Sequence, residues 1–313
     1  KLFPNLSIEE EVFKDLDVEL YFEKLNDEQE LIEAAKDADG IMGIYFPITR
    51  NAIQHMDKIK AMSVWGVGTN HIDIKAASEK GIIVSNVPDY CTDEVASHAV
   101  ALMLGCARQI SQYDRLIHKG EWAYGKIPLN RFAGKAVGIL GMGAIGQSVA
   151  EKLAGFNVNL LGFDTYVPED VMAKLNVKKV AFDEMLTTCD FISIHAPLTD
   201  ETRNMFSEEQ FKKMKDSAFI INTSRGGLID ENELAKALDN GWIAGAALDV
   251  MLDEPPAKDH PLIGHEKITI TPHVGWFSNE AQVDCRVKAA QAIKAVLVGE
   301  RPPFIVNKDL LNL

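Results

Sequence analysis

The sequence predicts an α/β protein, with a doubly wound parallel sheet in one domain and a second, smaller α/β domain. Three observations carry this expectation. The chain has 313 residues, room for two domains at roughly 100 to 200 residues each. From Lys135 onward, continuously apolar stretches alternate with helix-like ones, as strands buried on both faces of a parallel sheet do. A glycine-rich turn also stands between the first of these strands and the helix that follows it.

Before Lys135, short helices and strands alternate, with strand candidates at Val18–Phe22, Gly40–Tyr45, Ala61–Val64 and Ile82–Ser85. Between the first two, the stretch from Glu28 to Ala38 turns Leu31, Ile32, Ala34 and Ala35 inward and its acids outward, an amphipathic helix. A single long helix is expected from Asp93 to His118, because Val95, Ala99, Leu102, Met103, Cys106, Ile110 and Leu116 recur at helical spacing and Gly120 ends the pattern. The stretch from Glu121 to Phe132, with Trp122, Tyr124 and Pro128, reads as an irregular aromatic arm. Strands of the main sheet follow at Ala136–Leu140, Val158–Phe163, Phe191–His195, Ala218–Asn222, Ala244–Val250 and Ile268–Thr271. The last helix, Ser278 to Val298, ends at Gly299 and is expected to return the chain to the first domain. The expected organisation is therefore residues 1–98 with 278–313 as one discontinuous domain, around a middle domain of residues 99–277.

Composition narrows the function. With 47% hydrophobic and 25% charged residues the chain is neither disordered nor fibrous. A net charge of −14 repels polyanions and argues against nucleic acid as a partner, although a local cationic pocket for a small anion is compatible with it. Cys91, Cys106, Cys189 and Cys285 are scattered, without metal-binding or redox spacing, which points to a reducing cytoplasm and no metal. No apolar run reaches the ~18 to 20 residues of a membrane span, and the start at Lys1 lacks the zones of a signal peptide.

The glycine turn reads Gly141-Met142-Gly143-Ala144-Ile145-Gly146, and Asp164 ends the next strand. Strand, turn, helix, strand and acid in this order form the dinucleotide fingerprint. The first glycine permits the tight turn, the second lets a pyrophosphate approach, and the third lets helix and strand pack closely. Asp164 is suited to the adenosine ribose, and Thr165, Tyr166 and Val167 bring no arginine for a 2′-phosphate, so NAD is the expected cofactor. Three further segments stand at expected strand ends and carry Arg225, then Asp249 and Glu254, then His273. Arginine offers a forked, permanently charged donor array for a carboxylate and adjacent carbonyl. Histidine trades a proton near neutral pH, and a carboxylate on its other nitrogen fixes the tautomer. Singly, each could be a surface or structural residue. Together beside a nucleotide turn they are a kit for moving a hydride and a proton.

At this point the sequence resembles the D-isomer-specific 2-hydroxyacid dehydrogenase family over nearly the whole chain. The resemblance rests on Gly141 to Gly146, His195-Ala196-Pro197-Leu198-Thr199 with Glu201-Thr202-Arg203, Asn222 to Asp230, Ala246 to Val250, and Thr271-Pro272-His273. It implies a Rossmann NAD domain plus a smaller flavodoxin-like substrate domain, with NAD-dependent interconversion of a D-2-hydroxy acid and a 2-oxo acid. It also implies that Arg225 orients the substrate, that His273 is the acid/base and that Glu254 is its partner. Cofactor contacts are implied for Gly141, Gly143, Ala144, Ile145, Gly146, Asp164, Thr92, His195, Pro197, Thr202, Thr223, Ser224, Asp249 and His273. Substrate contacts are implied for Val67, Gly68, Arg225, His273 and the aromatic Trp276, and a homodimer is implied through the Asp93 to His118 helix and the arm. Tyr45, Phe46 and Trp276 hint at an apolar or aromatic side-chain pocket. The segments Asn86 to Cys91 and His273 to Ser278 are most similar to the branch related to C-terminal-binding proteins, which leaves an NAD(H)-sensing regulatory scaffold as the alternative. Two positions depart from the family. Lys1-Leu2-Phe3-Pro4 runs almost directly into a helix where an apolar strand is usual, so the first domain is expected to be one strand short unless residues precede Lys1. Ala144 stands where an arginine is common.

Overall fold

The computed structural model describes residues 5–43 and 46–311. The chain divides into two compact units, the described residues of Lys1–Cys91 with Phe277–Leu313, and Thr92–Trp276. The division falls just before the helix Thr92–Arg108, which packs as one piece against the larger sheet.

In the discontinuous unit, β1 (Gly40–Gly43), β2 (Ala61–Val64) and β3 (Ile83–Ser85) form a parallel sheet in that order. Every residue of β2 is buried, as befits the central strand. The helix Asn279–Leu297 packs on β1 and β2 and on the helix Ser7–Phe13. It approaches so closely that a Cβ on Gly40 would lie 2.9 Å from Ile293 Cγ2. The same two helices share a buried ion pair. Arg286 Nε and Nη2 donate to the two carboxylate oxygens of Glu9 at 2.8 and 2.5 Å, and Nη2 also donates to the Asn5 carbonyl at 2.6 Å. The expected strand Val18–Phe22 is not formed. The segment has no ladder partner among the described residues, and Val18, Tyr21 and Phe22 are exposed. The end of the Gly40–Tyr45 candidate, with Tyr45 itself, and Lys1-Leu2-Phe3-Pro4 lie outside the described residues.

The larger unit holds a seven-stranded, wholly parallel sheet. Its strands are β4 (Ala136–Leu140), β5 (Asn159–Phe163), β6 (Val177–Lys179), β7 (Phe191–Ile194), β8 (Phe219–Asn222), β9 (Gly245–Leu248) and β10 (Ile268–Ile270), in the spatial order β10-β9-β8-β7-β4-β5-β6. Strands β7, β8 and β9 are buried at every residue, and two apolar clusters cover the two faces, so this is the doubly wound Rossmann arrangement. Phe191 and Phe219 stack within one of those clusters at 5.4 Å between ring centres. β6 is not among the expected strands. It is a three-residue strand with two lysines, at the sheet edge where one face need not be apolar.

The expected long helix is two helices, Thr92–Arg108 and Ile110–His118. Gln109 between them is left-handed, with φ at 52°, which ends the first helix. The first helix buries Val95, Ala99, Leu102, Met103 and Cys106, whereas the second buries no residue. Helical spacing thus continues through the break, but the packing that would hold one straight helix does not.

Candidate active site

Because the larger sheet is parallel throughout, the carboxyl ends of its strands share one edge, where ligands bind in open α/β sheets. The glycine turn leaves β4 at this edge. Gly141 has φ at 89°, and a Cβ there would lie 2.7 Å from the backbone of His195 and Ala196. A Cβ on Gly146 would stand 2.0 Å from the Gly141 carbonyl oxygen, whereas nothing lies within 4 Å of one on Gly143. Gly141 and Gly146 therefore shape the turn, and Gly143 leaves space in front of it. Gly143 is also the N-cap of the helix Ala144–Leu153 and caps it with no side chain, so the first-turn amides and the helix dipole face that space. Thr223 Oγ1, at the end of β8, is buried without a hydrogen-bond partner among the described residues. An open amide cradle and a waiting hydroxyl fit a dinucleotide.

Asp164 sits beyond β5 and accepts N–H bonds from Met142 at 2.8 Å, Tyr166 at 2.7 Å and Val167 at 3.0 Å. Partial burial works against its charge, but these amides more than offset that and hold the carboxyl below its ordinary pKa. An ionised carboxylate accepts about four hydrogen bonds, so capacity for a ribose hydroxyl remains. Adding a methyl at Gly146 is expected to cost about 1–3 kcal/mol in overpacking and to weaken NADH binding about tenfold or more, through the displaced amides. Thermal unfolding and NADH fluorescence titration of Gly146→Ala check this, and wild-type affinity in the variant would remove the turn from the binding site.

The remaining expected cofactor and substrate residues lie in both units. Several are engaged with the protein itself. Ser224 Oγ donates to the Ala196 carbonyl at 2.6 Å, and Thr202 Oγ1 to that of Pro197 at 2.7 Å. His195 Nε2 meets Ser193 Oγ at 2.9 Å. His195 is half-buried, and burial pushes its ring down to about 4, so it is neutral at physiological pH. Thr92 opens the helix Thr92–Arg108. Val67 and Gly68 belong to the other unit, in the turn after β2, where the Val67 carbonyl accepts from Asn86 Nδ2 at 2.7 Å.

Arg225, Glu254 and His273 come together within the larger unit. His273 Nδ1 and Glu254 Oε2 are 2.6 Å apart, and Glu254 Oε1 accepts the Met251 N–H at 3.0 Å. Desolvation opposes the Glu254 charge, but the His273 contact, the Met251 amide and the nearby Arg225 charge outweigh it, so the carboxyl titrates below its ordinary range. Arg225 follows β8, with Nη1 donating to the Ser224 carbonyl at 2.7 Å. Trp276 ends the unit just past the His273 loop.

Asp249 is among the expected cofactor contacts, and the structure gives it a further task. Its carboxylate is buried and accepts the N–H groups of Val274 at 3.0 Å and Gly275 at 2.8 Å, while its carbonyl accepts that of His273 at 2.8 Å. Thr271 Oγ1 donates to the same carboxylate at 2.5 Å, and His98 Nε2 lies 3.0 Å from that hydroxyl. Burial opposes ionisation, yet His98, Thr271 and the two amides lower its pKa on balance. His98 has no signal in the sequence. It lies on an apolar helical pattern far from Asp249 along the chain, and only the packing of the helix Thr92–Arg108 on the sheet joins them.

Comparison with known proteins shows the family. Residues 100–275 match the family model described as "D-isomer specific 2-hydroxyacid dehydrogenase, NAD binding domain". The chain is 36% identical to the glyoxylate reductase of Korarchaeum cryptofilum over 90% of its own length and 87% of that protein. It is 41% identical to the D-3-phosphoglycerate dehydrogenase of Methanocaldococcus jannaschii over 89% of its length, but spans only about half, 53%, of that longer protein. The D-lactate dehydrogenase of Aquifex aeolicus, solved with NAD and lactic acid, superposes with a TM-score of 0.85 at 28% identity, covering 96% of each chain. With the nucleotide turn, the arginine and the paired histidine standing on one sheet edge, and this likeness extending beyond the NAD domain, the chain belongs to the D-isomer-specific 2-hydroxyacid dehydrogenase family.

Proposed function

We propose that this protein interconverts a small D-2-hydroxy acid and its 2-oxo acid with NAD as cofactor. The observation that carries the reading is the 2.6 Å contact between His273 Nδ1 and Glu254, next to Arg225, on the edge where the nucleotide turn opens. Bound NADH supplies the hydride for reduction, and NAD accepts it in the reverse direction. In reduction the Arg225 guanidinium binds the substrate carboxylate and polarises the adjacent carbonyl, and protonated His273 delivers a proton from Nε2 to the carbonyl oxygen. In oxidation neutral His273 takes the hydroxyl proton back. Glu254 orients the ring and stabilises its charged form. Met142, Tyr166 and Val167 hold Asp164 ionised for the ribose, which favours NAD over a 2′-phosphorylated cofactor.

A panel of glyoxylate, hydroxypyruvate and phenylpyruvate, followed by NADH absorbance, tests the reaction. Turnover of none, with NADH still binding, would overturn it. Glu254→Gln removes the carboxylate that favours the imidazolium. Reduction depends on the protonated ring, so its decline with rising pH is expected to move to lower pH, while the wild-type carboxylate stays ionised well into the acid range. A pH profile unchanged in this variant would remove Glu254 from the mechanism.

Two further readings concern assembly and location. Ile110, Ile117, Trp122 and Tyr124 are exposed on the second helix and the arm, an apolar surface that a second copy of the chain would cover. Light scattering is expected to give twice the chain mass, and a monomer at micromolar concentration would refute this. The four cysteines are free and buried, which fits a reducing cytoplasm. Among the described residues no helix is long and apolar enough to cross a membrane.

A further inference from the structure

A carboxylate–histidine hydrogen bond that the proposed chemistry does not use lies under the loop that carries Glu254. We propose that Glu231 and His260 are positioning residues, which hold this loop against the body of the larger unit and so fix the contact between Glu254 and His273. The proposal rests on the reaction reading above, because it assigns the pair a task in that reaction.

Glu231 is the first residue of the helix Glu231–Asp239, whose N-terminus is capped by Asp230 accepting the N–H groups of Asn232 and Glu233, each at 3.1 Å. Its side chain is buried, and the helix N-terminus favours its charge. One oxygen, Oε1, accepts the Leu252 N–H at 2.7 Å, and the other lies 2.9 Å from His260 Nε2. On the far side of the same ring, His260 Nδ1 accepts the Leu262 N–H at 3.3 Å, so the proton stands on Nε2 and points at Glu231. A single carboxylate on a capped helix thus grips both ends of the loop from Met251 to Leu262, which has no helix or strand of its own.

Adjacent peptide groups divide the work. Met251 N–H goes to Glu254 and Leu252 N–H goes to Glu231. The first bond is internal to the loop and would travel with it. The second ties the loop to the helix. Gly226, next to Arg225, provides the floor, since a Cβ there would lie 2.1 Å from the Met251 carbonyl carbon. That close packing keeps the loop from moving inward, and the Glu231 carboxylate keeps it from moving outward. Released, Glu254 would keep its Met251 bond and leave His273.

The test compares Glu231→Ala, Glu231→Gln and His260→Ala with wild type and Glu254→Gln, using glyoxylate and NADH. Glu231→Ala is expected to lower kcat about tenfold or more, as misplacement of a catalytic group does, with KM for NADH unchanged. The basic limb of its pH profile should move to lower pH, as in Glu254→Gln. Glu231→Gln keeps an oxygen for Leu252 N–H but turns an N–H toward His260 Nε2, so it should recover only part of kcat. A second readout needs no turnover. By NMR, the His273 ring should titrate at lower pH in Glu231→Ala than in wild type. If Glu231→Ala does not fold, His260→Ala is read in the same way. A folded variant with an unchanged pH limb and an unchanged His273 titration overturns the positioning role. Absence of wild-type turnover on every 2-oxo acid would instead overturn the reaction, and the ring titration would still decide whether Glu231 holds the contact.

Discussion

Replacing His273 with glutamine is expected to lower kcat/KM for 2-oxo acid reduction about 10²- to 10⁴-fold, the usual contribution of a positioned acid/base, and to weaken NADH binding far less. In barrier height this is about 3–5 kcal/mol. The amide is close in size to imidazole and can still hydrogen-bond Glu254, but it cannot release a proton near neutral pH. The size of the effect follows from how firmly the ring is placed. His273 is left-handed, with φ at 53°, a conformation costly for a residue with a Cβ. The Asp249 anchor maintains it, by accepting the N–H groups of His273, Val274 and Gly275 in succession. Steady-state rates in both directions, with NADH affinity measured separately, check this. A variant within threefold of wild type would exclude His273 as the proton donor.

Substituting Arg286 with methionine is expected to destabilise the discontinuous unit by about 3–5 kcal/mol, because it strands the Glu9 carboxylate in the interior without its partner. Their side chains are 3% and 0% exposed, so water cannot take over the lost hydrogen bonds. The pair also joins the helix Ser7–Phe13 to the helix Asn279–Leu297, two segments from opposite ends of the chain. Replacing both residues, Arg286→Met with Glu9→Leu, should recover much of the loss, since no buried charge then remains. Urea unfolding of wild type and the two variants measures this, and a single variant as stable as wild type would show that the carboxylate finds another partner.

The nucleotide-binding edge was legible because its signals are local. A turn that needs glycine at Gly141 and Gly146, an acid at the end of the next strand, and continuously apolar strands each declare themselves within a few residues. Arg225, Glu254 and His273 could be grouped because a parallel sheet sends all strand ends to one edge, so their positions after successive strands sufficed. Three features escaped. β6 is short and carries two lysines, as a sheet edge allows. Val18–Phe22 has strand-like residues but no neighbouring strand among the described residues to pair with. The break at Gln109 interrupts a helical pattern that continues on both sides of it.

The order of residues along the chain was enough to establish the α/β class, the parallel sheet of the larger unit and the residue types of its site. Which of those residues are held, and by what, was decided by packing between distant segments. Asp249 anchors the His273 loop with help from His98 on the helix Thr92–Arg108, and Glu231, on a separate helix, holds the Glu254 loop at Leu252 and at His260. Such contacts join groups that are remote along the chain, so no periodicity or spacing encodes them. They form only once burial makes an unpaired polar group costly, and the fold must then bring a partner to it.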